Sequence, residues 1–252
     1  MSVTKEIKNM AIDLEKMRQK LVMMKSGGKT KNFWKPQQGT QTIRLLPTED
    51  ADPFKSFFFH YGVGPEGLLC PKANFGEVCP ICDFVSKLFS EKDEESREMA
   101  KKMMKKQRFF SAILVRGEEK DGPKVWGYSK TVYEYFIKSV LDPDYGDITD
   151  PELGVDVTIE YDKKDGKAYP DTTPTLKRKS SPLCKDPTGE ECSEILQKIP
   201  DFNSLHKRRT TLEVQTALDA YLAGIPEEEE GEQESASQES SDIDSAINSL
   251  SK

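Results

Sequence analysis

Four side chains that bind borderline or soft metals fall within residues 60–82: His60, Cys70, Cys79 and Cys82, spaced His-x9-Cys-x8-Cys-x2-Cys. At structural sites zinc takes four N or S ligands in a tetrahedral array. A Cys-x2-Cys turn lets two thiolates reach one ion while the backbone amides between them soften their charge. Pro80 suits the tight knuckle after Cys79. Three thiolates and one imidazole fill the shell and leave no position for water, so the spacing predicts one structural Zn2+ and no catalytic metal. The plainer alternative is a set of buried reduced cysteines with a core histidine. A redox pair at Cys79 and Cys82 lacks the strand-loop-helix setting of a thioredoxin. Cys184 and Cys192 lie far off without a second Cys-x2-Cys. With His206 they are a weak candidate for another site, and ordinary free thiols are the expectation. Five cysteines, an odd number unevenly spaced, fit a reducing compartment better than a disulfide scaffold.

Charge divides the chain again. The 252 residues carry a formal net charge of -7, with 32% charged and 35% hydrophobic side chains. Residues 226–252 hold 9 acids and 1 base, or -8, which leaves +1 for everything before them. This tail is rich in Glu, Ser and Gln and has no aromatic residue, so it buries too little surface to offset the entropy of ordering, and disorder is expected. Near its end Ile243, Ile247 and Leu250 are spaced by four and three, a stripe suited to forming on a partner; the alternative is a solubilising tail. No stretch approaches the roughly 18 consecutive apolar residues of a membrane span, and the N-terminal residues lack an apolar signal core. A soluble, unexported protein is expected.

At the other end Val3, Ile7, Met10, Leu14, Met17, Leu21 and Met24 recur at three- and four-residue steps, an amphipathic helix closed by Ser26-Gly27-Gly28. The glycine hinge favours a separable arm over residues 1–28, packing on a neighbouring molecule or on its own domain. From Gln41 onward the pattern predicts strands over 41–46, 54–61, 109–116, 124–130 and 155–161, parted by turns such as Asp121-Gly122-Pro123. Helices are expected over 82–106, 132–141 and 204–222. Five short strands with helices between them indicate an α+β or mainly β domain, such as a small barrel.

Cations and aromatics interleave along these strands. Lys101, Lys102, Lys105, Lys106 and Arg108 run into Phe109-Phe110; Trp126 and Tyr128 share a face of the next strand; and Lys177, Arg178 and Lys179 form a second cluster near Tyr169. Single-stranded nucleic acid is held by such pairings, cations tracking the backbone while aromatic faces stack bases. On a strand Phe109 and Phe110 point to opposite faces, so one is expected in the core and the other toward solvent. Taken singly, each feature reads equally well as a core aromatic or a solvated helix face.

In order along the chain, Gln41-Thr42-Ile43-Arg44-Leu45-Leu46-Pro47, His60, Cys70, Cys79-Pro80-Ile81-Cys82, the aromatic strand pair and the acidic tail resemble the single-stranded DNA-binding proteins of T4-like bacteriophages. The resemblance is strongest around the metal ligands and weakest over 185–225. It implies an OB-fold core (29–225) with an inserted zinc subdomain (about 55–108), an N-terminal arm for self-association on DNA, and an acidic tail that recruits replication and recombination proteins. By the same resemblance His60, Cys70, Cys79 and Cys82 are the zinc ligands. Arg44 is a DNA-facing cation, Phe109 and Tyr128 are base-stacking positions, Tyr169 is a further aromatic contact, and Phe84 replaces a tyrosine after the knuckle. Lys105, Lys106 and Arg108 approximate the basic patch before the first stacking residue. The family's N-terminal basic cluster followed by Ser and Thr is absent from residues 1–10, and a sequence of that kind stands instead at Lys177–Ser181.

The function implied is a non-enzymatic protein that coats single-stranded DNA, with little sequence preference, during viral replication, recombination and repair in the cytoplasm of an infected bacterium. Two rivals remain: a zinc-stabilised interaction adaptor, and a zinc-dependent nuclease or deaminase. The second needs an open metal position, and the deaminase His-x-Glu pattern is absent at His60-Tyr61-Gly62. No Gly-x4-Gly-Lys-Ser/Thr loop occurs, so no nucleotide fuel is implied.

Overall fold

The computed structural model describes residues 33–63, 67–163, 170–186 and 189–224. The N-terminal arm, the acidic tail and Tyr169 lie outside the described residues. In chain order the elements are β1 (Phe33–Trp34), β2 (Gly39–Leu45), β3 (Lys55–His60), β4 (Leu68–Leu69), α1 (Pro71–Phe75), α2 (Pro80–Ser90), α3 (Glu94–Met103), β5 (Lys106–Val115), β6 (Lys124–Tyr128), α4 (Lys130–Val140), β7 (Val155–Asp162), β8 (Asp171–Ser180), α5 (Glu190–Gln197) and α6 (Thr211–Leu222). They divide into two compact units, one of residues up to Ser56 with Arg108–His206, the other of Phe57–Gln107 with residues from Lys207 on. No helix among the described residues is long and apolar enough to cross a membrane. The class is α+β.

In the first unit the strands order as β1-β6-β5-β2-β7-β8. Every neighbouring pair is antiparallel except β1 on β6, where Phe33 faces Val125 and Trp34 faces Trp126 in parallel register. From Phe109 to Val115, strand β5 is buried at every position. It sits between β6 and β2, and a continuous apolar run is what a strand covered on both faces requires. Both Phe109 and Phe110 are therefore inside, which corrects the expectation that one of them meets solvent. Phe110 fits because its neighbour across the ladder is Gly127: a Cβ there would come within 2.9 Å of the Phe110 ring. Helix α4 lays Val132 and Phe136 onto the core of Ile43, Ile113, Trp126, Val157 and Ile159.

In the second unit β3 and β4 form a short hairpin, Phe59 opposite Leu69 and His60 opposite Leu68. Ile81, Val85 and Leu88 of α2, Ala100 and Met103 of α3, and Val214, Ala217 and Leu218 of α6 share its core. The single helix expected over 82–106 is two, because Asp93 caps the second: its carboxylate accepts from the Ser96 amide at 2.7 Å. Helix α6 starts at Thr211, later than expected, where Thr210 and Glu213 form a reciprocal capping box.

A candidate metal centre and the placement of basic and aromatic residues

The hairpin and two helix starts bring the four expected ligands together. His60 ends β3, Cys70 is the N-cap of α1, Cys79 is the N-cap of α2, and Cys82 lies in the first turn of α2. Their ligand atoms all fall within 4.8 Å of one another. Cys79 Sγ and Cys82 Sγ lie 3.4 and 3.5 Å from His60 Nε2, and Cys70 Sγ lies 3.5 Å from Cys82 Sγ. Zn–S bonds of about 2.3 Å and a Zn–N bond of about 2.0 Å give tetrahedral edges of roughly 3.5–3.8 Å. These three separations lie close to those edges, and the Cys70–Cys82 distance is far too long for a disulfide.

The surroundings prepare the ligands. His60 Nδ1 donates to the Met103 carbonyl at 2.9 Å, which orients the ring with Nε2 toward the thiols. The amides of Ala73 and Cys82 donate to the sulfurs of Cys70 and Cys79. Left to themselves the three thiols do not ionise alike. A hydrogen bond from Cys79 holds Cys70 down to about 3, the same bond together with burial pushes Cys79 up, and burial together with the charge on Cys70 pushes Cys82 up. A buried cluster that admits one thiolate and resists two more is a site that a divalent cation completes.

Asn74 is a support that spacing alone does not reveal. Its Oδ1 accepts from the Phe58 amide at 3.0 Å, and its Nδ2 donates to the carbonyls of Phe58 and Cys70 at 2.8 and 2.9 Å. It ties α1 to β3 across the ligand-bearing turn.

The expected nucleic-acid contacts separate into two groups. Lys105 and Lys106 are exposed in the second unit, where the Lys105 ammonium lies 5.6 Å from the Phe58 ring centre and Phe84 is half-buried against the core. In the first unit Arg108 is half-buried, and Lys177, Arg178 and Lys179 are exposed at the end of β8. By contrast Phe109, Trp126, Tyr128 and Arg44 are buried. Tyr133 lies parallel to Phe109 at 4.0 Å between centroids, occupying the face on which a base would stack. The Tyr128 hydroxyl bonds Ser111 Oγ at 2.7 Å, and burial raises its pKa.

Arg44 belongs to an internal network. Its Nη2 donates to the Asp150 carbonyl at 2.5 Å, and Nη1 lies 3.8 Å from Asp156. Arg116 grips the same Asp156 oxygen at 2.8 and 3.0 Å and the carbonyls of Pro182 and Leu183 at 2.9 Å. Gly154 is required beside it, because a Cβ there would meet Arg44 Nη2 at 2.5 Å. The next residues bring a correction. Cys184 and Cys192 are joined in a disulfide, Cα to Cα 5.7 Å, where free thiols were expected. Gly189 is the N-cap of α5, the helix that carries Cys192.

No curated protein matches the chain. A family profile described as "gp32 DNA binding protein like" matches residues 37–221, a span that includes the metal ligands, the basic strand ends and the buried arginine network. The chain therefore belongs to the gp32-like DNA-binding protein family, that of the T4-like single-stranded DNA-binding proteins.

Proposed function

We propose that this protein coats single-stranded DNA, without catalysis and with little sequence preference, during viral DNA replication, recombination and repair in the cytoplasm of an infected bacterium. The family match over residues 37–221 carries the reading. The strand-rich first unit serves as an OB-fold, and one Zn2+ on His60, Cys70, Cys79 and Cys82 supplies the cross-link that a unit with so small a core lacks. Lys105, Lys106, Arg108, Lys177, Arg178 and Lys179 are the cations offered to phosphates, and Tyr169 and Phe84 are the aromatic faces offered to bases. Phe109, Trp126 and Tyr128 contribute by fixing β5 and β6, since Tyr133 and Phe136 already pack on their rings. Residues 1–28 serve self-association on the strand, and residues 226–252 recruit replication and recombination proteins.

Binding of oligo-dT and of duplex across a salt series, with zinc content measured on the same sample, tests the reading. The expected result is selective oligo-dT binding whose log affinity falls with log salt by about 0.7 per neutralised phosphate, at one zinc per chain. Equal affinity for duplex, or no oligonucleotide binding by zinc-loaded protein, overturns it and leaves an interaction adaptor. Turnover of DNA by pure protein would instead point to an enzyme.

A further inference from the structure

The first unit contains a cleft of about 260 Å³ that none of the expected contacts lines. The chain between β1 and β2 forms one wall, and the end of β5 with the turn into β6 forms the other, so that Trp34, Lys35, Gln41, Glu118 and Lys124 face a common space. Resting on the reading of this protein as a single-stranded DNA binder, we propose that this cleft takes one nucleotide of the bound strand, its base against Trp34 and its phosphate against Lys35.

The chemistry of the walls argues for this ligand. Trp34 is half-buried and fixed, paired in the ladder with Trp126 and edge-on to its ring at 5.6 Å between centroids. An anchored indole with one side on a cleft is a stacking platform that loses little entropy when a base arrives. Charge is balanced for a single phosphate. Lys124 is already engaged by Glu118 and Asp121 at 2.7 and 3.0 Å, which raises its pKa. Lys35 is exposed and pairs with no carboxylate among the described residues. The cleft therefore offers one uncommitted cation next to the Trp34 indole, with Phe33 as a second aromatic residue in its lining.

The wall is also preformed. The Gln41 amide closes the crossover on itself, accepting from the Gln37 amide at 2.9 Å and donating to the Gln37 carbonyl at 2.8 Å. Gln38 ties the same crossover to the end of β7 through Asp162 and the Lys163 amide. After these bonds the Gln41 side chain still has one N–H and one lone pair, enough to meet any base edge and not enough to read one, as little sequence preference requires. The small volume admits a base and its sugar and excludes a folded peptide or a lipid chain.

The test uses the full chain, zinc-loaded, and an oligo-dT carrying 5-iodouracil in place of thymine. Irradiation followed by peptide mapping should place a cross-link on Trp34. Lys35→Glu, a change at an exposed side chain, should weaken oligo-dT binding about 3- to 10-fold at low salt, lower the salt slope by the equivalent of one phosphate, and suppress the Trp34 cross-link. Lys185→Glu, another exposed lysine, should leave the Trp34 cross-link intact. If the wild type binds oligo-dT while cross-links fall elsewhere, or if Lys35→Glu retains both affinity and slope, the nucleotide cleft is refuted and the coating function stands. Absence of any oligo-dT binding by the wild type overturns both. A 5-iodo-dUMP arm separates the sources: a cross-link to Trp34 as efficient as that of the strand at equal concentration replaces the strand with a free mononucleotide.

Discussion

At the metal centre Asn74 makes no bond to the proposed ion, yet it fixes two of the segments that carry ligands. Removing its amide leaves the part-buried Phe58 amide without an acceptor, at a cost of about 1–3 kcal/mol, while the Phe58 and Cys70 carbonyls each keep a backbone donor, the amides of Cys70 and Asn74. Because such supports hold ligands in register, Asn74→Ala should also lose zinc to a chelator about 10-fold more readily. Denaturant titration and a chromogenic chelator assay measure the two effects, and unchanged zinc retention would show that the hairpin needs no such clamp. Tyr128 poses the opposite question, since its ring was expected to meet bases and instead lies in the core with its hydroxyl on Ser111, which in turn donates to the Pro53 carbonyl. Tyr128→Phe should cost about 1 kcal/mol of stability and leave oligo-dT affinity unchanged, whereas Tyr128→Ala should cost about 3–5 kcal/mol. A Tyr128→Phe protein of normal stability and poor affinity would return this residue to the DNA surface. Ligand identity was legible in the sequence because His60 and the cysteines follow a spacing that metal geometry imposes. Burial of Arg44 and Tyr128 was not, because an arginine or a tyrosine on a strand has the same letters whether it faces an aspartate inside or a phosphate outside.

The elements show where periodicity carries information and where it does not. Strands β2, β5, β6 and β7 lie where alternating or continuous apolar runs predict them, since each buries at least one face. Strand β8 was missed: only Pro174 and Leu176 of its ten residues are buried, and its last four residues are exposed. An edge strand with a proline and a Lys-Arg-Lys end lacks the pattern of a buried one. Two-residue strands such as β1 have no period at all, which is why Trp34 and its cleft did not emerge from the sequence. The Cys184–Cys192 bridge was equally hidden, as spacing alone cannot tell a pair of thiols from a closed loop. This bridge joins the chain after β8 to α5, and the carbonyls just before it hold Arg116. In the chain-entropy picture a ring of this length is worth about 2–3 kcal/mol. The thermal midpoint of the wild type should therefore fall on adding a phosphine reductant, while Cys192→Ser should start low and not respond. Complete alkylation of Cys184 in unreduced protein would refute the bridge.

For the molecule as a whole the decisive quantity is the distribution of charge along the chain, not its sum. A net -7 appears unsuited to a polyanionic ligand, but residues 226–252 carry -8 and the rest +1. Within that near-neutral remainder, Lys105, Lys106, Lys177, Arg178 and Lys179 are exposed, while several acids are spent in helix caps and internal pairs: Asp93 and Glu213 cap α3 and α6, and Asp156 holds Arg44 and Arg116. A polyanion tethered to such a chain is present at high local concentration and competes with DNA for the same cations. The competition is electrostatic, so it weakens as the screening length shrinks from about 30 Å at 0.01 M salt to about 8 Å at 0.15 M. Deleting residues 226–252 should therefore raise oligo-dT affinity severalfold at low salt, with the two proteins converging as salt increases, and should steepen the salt slope because more phosphates find a free cation. Fluorescence titration of Trp34 and Trp126 over a salt series compares full-length and shortened chains directly. Equal affinities at the lowest salt would mean that the tail and the DNA do not share a surface, and that its charge serves partner proteins alone.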